Sequence, residues 1–99
     1  MMTPEGREKL KVKNYLDSIG AWHFAPYMAG YGKAGIPDRI ASIYGRLWGI
    51  EIKAEGKRAT ALQQHCLDDI KRSGGFVVCG TAEQIKAEIE KFIGMAGEH

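Results

Sequence analysis

The sequence predicts an α/β fold of order αβββαβα, a mixed sheet flanked by helices. Two observations carry most of that prediction. Helix-period patterns open, interrupt and close the 99-residue chain, with strand-like runs between them. Two of those runs, Arg39 to Tyr44 and Leu47 to Ala54, are separated only by a turn at Gly45, which makes them a hairpin.

Each element has local support. The first helix is predicted from Pro4 to Ile19, with Thr3 as its cap, Pro4 at its first position and Gly20 at its end. Val12, Tyr15, Leu16 and Ile19 form its apolar stripe, and the spacing places Glu8 on that side, one turn nearer the start. Glu5, three residues earlier, competes for the same face, whereas Lys9, Lys11 and Lys13 populate others. A first strand spans Ala21 to Met28, with Pro26 arguing for an edge or a bulge. The glycine-containing stretch from Ala29 to Gly35 then reads as a loop.

After the hairpin, a second helix is predicted from Ala61 to Ser73. Thr60 and Gln63 make a capping-box pair, and Lys71, Arg72 and Gly74 mark its end. Leu62, Cys66, Leu67 and Ile70 are expected to face the core, with Gln63 on that side and Gln64 turned away. Phe76 to Cys79 is a short buried strand. A last helix, Ala82 to Ile93, packs through Ile85, Ile89 and Phe92.

Length and composition set limits. Residues 1–99 form one domain with a single modest core. No secretory leader, lipidation signal or transmembrane run is expected, because no apolar stretch approaches about 18 residues. Cys66 and Cys79 are too few and too far apart for a disulfide framework or zinc ribbon, so both are expected reduced and buried in a cytoplasmic protein. Residues 1–58 hold ten Lys/Arg against six acids, and the remainder four against six. That asymmetry, +4 against −2, would orient a polyanion towards the first half of the chain.

The chemistry concentrates in residues 35–53. An even-numbered loop near Tyr44–Gly45 or Gly45–Arg46 sets Asp38 opposite Glu51 or Lys53, and on the same face as both. Cross-strand neighbours on one face lie within roughly 5 Å, close enough for two acids to share a cation. Phosphodiester hydrolysis needs charge neutralisation at the phosphoryl oxygens and hydroxide near neutral pH. Mg²⁺ supplies both, and it binds one or two carboxylates while keeping several waters. Asp38 and Glu51 would be those carboxylates, the Ile52 carbonyl a third oxygen, and Lys53 the group beside the attacking water.

The order Pro37-Asp38, twelve residues, Glu51-x-Lys53 resembles the PD-(D/E)xK nuclease superfamily. With Gly35-Ile36-Pro37-Asp38 before a strand, Glu51-Ile52-Lys53-Ala54 closing the next, and Thr60-Ala61-Leu62-Gln63 opening a helix, the chain is similar to its VRR-NUC (virus-type replication-repair nuclease) branch. The resemblance implies a restriction-endonuclease-like fold and a Mg²⁺- or Mn²⁺-dependent endonuclease. Asp38 and Glu51 match its metal-binding acids, Lys53 its catalytic lysine, Gln63 a glutamine opening the following helix, and Glu8 a first-helix acid completing the site. Thr60 stands where Ser is usual, which keeps the hydroxyl.

The resemblance also implies a homodimer acting on branched DNA such as four-way (Holliday) junctions, in a bacterium or phage-infected cell. Flap- or restriction-type nucleases, or a non-catalytic DNA-binding accessory module, are the alternatives. Lys33, Arg39, Lys57 and Arg58 are candidate phosphate contacts. The stretch Gly30 to Ala34 is no P-loop, because Tyr27 occupies the first glycine position and Ala34 the Ser/Thr position. His23, His65 and His99 have no ligand spacing.

Overall fold

The computed structural model describes residues 1–27 and 35–96. The element order is α1 (Pro4–Ser18), β1 (Trp22–Phe24), β2 (Arg39–Ile43), β3 (Arg46–Ile52), α2 (Ala61–Arg72), β4 (Phe76–Gly80) and α3 (Ala82–Ala96). That is the predicted αβββαβα succession, and the strands form one four-stranded sheet in the order β1-β2-β3-β4. β1, β2 and β3 run antiparallel, while β4 pairs parallel to β3 after the crossover through α2, so the sheet is mixed.

Helices cover both faces. Ala41, Ile43, Trp48, Ile50 and Ile52 bury against Val12 and Leu16 of α1 and Ile85 and Ile89 of α3. Trp48 stacks on Phe76 with ring centres 5.1 Å apart and meets the edge of Phe92 at 5.5 Å. Alternation turns Gly49 to the other face, towards Ile70 of α2. Glu51 therefore shares the α2 side.

Local chemistry fixes the ends of α1. Thr3 Oγ1 accepts from the Gly6 N–H at 3.0 Å, and Gly20, at φ +72°, ends the helix with bonds from Gly20 N to Asp17 O and Ala21 N to Leu16 O. β1 is shorter than its apolar run suggests. Pro26 has no N–H for a ladder, and pairing stops at Phe24. As an edge strand, β1 leaves Trp22 68 % exposed, with Phe24 and Tyr27 exposed as well.

Two burial expectations are corrected. Leu62 is 60 % exposed, because α2 buries only Cys66 and Leu67, at the centre of its apolar face. β4 is not the buried strand expected: as the other edge of the sheet it leaves Phe76 and Cys79 exposed and the residues between them half-buried; Cys66 is buried, and both thiols are free. Among the described residues, no helix is long and apolar enough to cross a membrane.

Candidate active site

Register places the two acids. Tyr44 and Gly45 form a two-residue loop with φ of +48° and +78°, the conformation whose twist matches flanking strands. Ile43 then pairs with Arg46, and Arg39 with Ile50. One step further, Asp38 falls opposite Glu51 rather than Lys53. Asp38 Oδ2 accepts a hydrogen bond from the Ile52 N–H at 2.8 Å, so the carboxylate extends the ladder where β2 has not yet begun. N–H and C=O of one strand residue leave on the same side, which sends the Ile52 carbonyl to that edge as well.

Glu51 is the unusual group. It is 1 % exposed; Oε2 lies 3.4 Å from Lys53 Nζ, and Oε1 has no hydrogen-bond partner among the described residues. Burial, and then the charge of neighbouring Asp38, push its pKa up to about 7, against the smaller opposing pull of Lys53. Lys53 is itself largely buried, its side chain 12 % exposed, and its N–H donates to the Gly80 carbonyl at 2.8 Å. A buried carboxylate with an unused oxygen, beside a second acid, is a fitting receptor for a cation.

The donor set narrows which cation. Among the described residues, no three His, Cys, Asp or Glu side chains come together as a ligand cage. Two carboxylates and a backbone carbonyl do not suit structural zinc, which takes four protein ligands. They do suit Mg²⁺ or Mn²⁺, whose remaining positions are filled by water or substrate.

The other site candidates divide. Gln63 lies in the first turn of α2, where its Oε1 accepts from Thr60 N at 2.8 Å and its own N–H donates to Thr60 Oγ1 at 3.2 Å, completing the capping box. Lys57 and Arg58 are exposed and share a cleft of about 380 Å³ with Glu5 and Lys53. Arg39 lines a separate cavity beside Asp38. Lys33 falls outside the described residues. Glu8 is not gathered with the pair: its Oε1 accepts from Ala82 N at the start of α3, and its Oε2 meets Lys11 at 3.3 Å. Those partners, the Ala82 N–H first, lower its pKa.

The α1 acid on the site's side is Glu5, and it arrives with a lysine that sequence reasoning missed. Lys9 Nζ stands 3.3 Å from Glu5 and 3.5 Å from Asp38 Oδ1. Burial works against its charge, yet the two carboxylates outweigh that and hold its pKa above the usual value. Glu5, Lys9, Val12 and Leu16 follow i, i+4, i+7, i+11, so the signal was present in the helix period.

Gly35 joins the site to α2. Its φ is +78°, and a Cβ there would collide with the Leu62 carbonyl. Gly35→Ala is expected to lose about 1–3 kcal/mol or more in urea unfolding, because strain and clash add. An unchanged midpoint would show that α2 does not seat on this turn.

No family model and no curated protein matches the chain. A solved structure described as a VRR_NUC domain is similar to it, with a TM-score of 0.75 and 25 % sequence identity, covering 89 % of this chain and 96 % of that one. The α/β architecture implied by the sequence resemblance is therefore shared with a solved domain of that kind.

Proposed function

We propose that this chain, a VRR-NUC domain by its fold, is a divalent-metal-dependent endonuclease that hydrolyses DNA phosphodiesters. The supporting observation is Glu51, a buried acid with an unpartnered oxygen beside Asp38 and Lys53. Asp38, Glu51 and the Ile52 carbonyl would hold Mg²⁺ or Mn²⁺. When bound, that ion would neutralise phosphoryl charge and supply hydroxide near neutral pH.

The chain's own groups do the remaining work. Lys53, with its ammonium against Glu51, orients the attacking water and offsets charge developing on the phosphoryl oxygens. Gln63, held by its capping box in the first turn of α2, would offer its amide N–H groups to water or phosphate. Lys57, Arg58 and Arg39 meet flanking phosphates. Glu5 is the α1 acid supported by position, reaching the site through Lys9.

The substrate proposed is branched DNA, with a homodimer as the acting unit in the cytoplasm of a bacterium or phage-infected cell. A domain of this size covers little duplex, and two symmetric incisions across a junction call for two sites related by a two-fold axis. Exposed Trp22 and Phe24 on the β1 edge are available to a second copy.

The test is cleavage of a four-way junction, flap, fork and linear duplex in Mg²⁺ or Mn²⁺, with molar mass measured in parallel. Paired incisions in the junction by a dimer are expected, with loss of cutting in Asp38→Ala. Undiminished cutting by that variant would overturn the assignment. Tight junction binding without cleavage in any divalent metal would favour an accessory module instead.

A further inference from the structure

Beside the carboxylates, a chain of three side chains runs from α1 across the edge of the sheet. His23 Nε2 lies 2.6 Å from Asp17 Oδ1, and His23 Nδ1 lies 2.9 Å from Nη1 of Arg39. The His23 side chain is only 7 % exposed, so both ring nitrogens are given to these partners. Arginine only donates, which makes Nδ1 the acceptor. Nε2 then carries the hydrogen and donates to Asp17. The tautomer is fixed by the company it keeps.

Strand alternation makes this possible. His23 pairs with Ala41, so His23, Ala41 and Arg39 share the face that α1 covers. Asp17, near the end of α1, is also held by Lys13 at 3.0 Å. At the other end of the chain, Arg39 lines a cavity of about 360 Å³ together with Lys9, Pro26, Pro37, Asp38 and Ile52. Only one of its five N–H groups is directed to His23, so the planar fork retains donors for a ligand. Two cations, Arg39 and Lys9, thus border a cavity that begins at the proposed metal ligand Asp38.

The geometry points to this cavity as the seat of a DNA backbone phosphate, gripped by Arg39 and Lys9, with His23 and Asp17 as positioning residues that act through Arg39. This deepens the nuclease function and rests on it. A free arginine must be ordered each time it meets a phosphate, whereas this one is already oriented by His23. The arrangement does not touch the reacting atoms, so its effect belongs to substrate binding.

The experiment is equilibrium binding of labelled four-way junction to the full chain by fluorescence anisotropy, in EDTA over a KCl series. Arg39→Ala should weaken binding and reduce the slope of log K against log salt by about 0.9, the loss of one phosphate contact. His23→Ala should weaken binding in the wild type but add nothing in the Arg39→Ala background. His23→Gln, whose amide can accept from Arg39 and donate to Asp17, should restore affinity. Should Arg39→Ala fold poorly, Arg39→Gln keeps a donor for His23 without the charge, and the same slope change is expected.

DNA binding with an unaltered slope in either Arg39 variant would overturn this inference. So would a His23→Ala effect of equal size in both backgrounds, the mark of a purely structural tie. A protein that binds as expected but cleaves nothing would sink the nuclease function and leave the phosphate seat standing. A wild type that binds no DNA would overturn both.

Discussion

Glu51→Gln is expected to be more stable than the wild type in metal-free buffer at pH 8, and to gain nothing from added divalent cation. The sign follows from the direction of the shift. Glu51 has a folded pKa of about 7, above its ordinary value of 4.5. Between those values the folded chain binds more protons than the unfolded one, so stability falls as pH rises from about 4.5 and levels off above about 7. The lost stability is on the order of 3 kcal/mol.

Glutamine carries no charge to bury or to oppose Asp38. It also loses the attraction of Lys53, but that pull is the smaller one, since Glu51 is shifted upward on balance. In a domain of this size the gain corresponds to roughly 10 °C or more in Tm. Mg²⁺ or Mn²⁺ should raise the wild-type Tm most at pH 8, where the acid is ionised, in proportion to ligand occupancy. Thermal melts at pH 5 and pH 8, with EDTA and with each cation, check all of this. A wild-type Tm that is flat with pH, or equal metal stabilisation in the variant, would contradict it.

Lys53→Ala should separate chemistry from metal binding. The ammonium is 3.4 Å from Glu51 Oε2 but supplies no ligand to a cation. Its removal takes away a positive neighbour, so divalent affinity should hold or tighten. Single-turnover cleavage should fall by about 10²–10⁴, the range for a positioned proton-transfer or charge-stabilising group, with the loss in kcat rather than KM. Lys53→Arg should not rescue it, because a broad guanidinium cannot take the place of a compact ammonium in a site this enclosed. Cleavage by Lys53→Ala at more than half the wild-type rate would remove the lysine from the reaction.

How much of this was legible in the sequence depended on the range of the interaction. The hairpin and its acids were readable because alternation and loop length are local rules: once the loop is Tyr44–Gly45, Asp38 must oppose Glu51. The capping box of Thr60 and Gln63 was equally local. Helix period put both Glu5, with Lys9, and Glu8 in line with the apolar stripe, and only the placement of α1 on the sheet chooses between the two acids. Glu8 turns to the α3 N-terminus, a partner 74 residues away in sequence. His23 carried no spacing signal, because its partners come from α1 and β2, before and after it in the chain. Leu62 and Cys79 looked like core residues by type, and their exposure reflects where α2 and the sheet edge fall.

The most direct measurement is isothermal titration of Mn²⁺ into the wild-type protein at pH 8, repeated with Asp38→Asn and Glu51→Gln. One cation per chain, bound where Glu51 is already ionised and lost in both variants, is the expected result. No uptake even with uncleaved junction DNA present, or uptake unchanged by either substitution, would mean that the two acids do not share a metal ion.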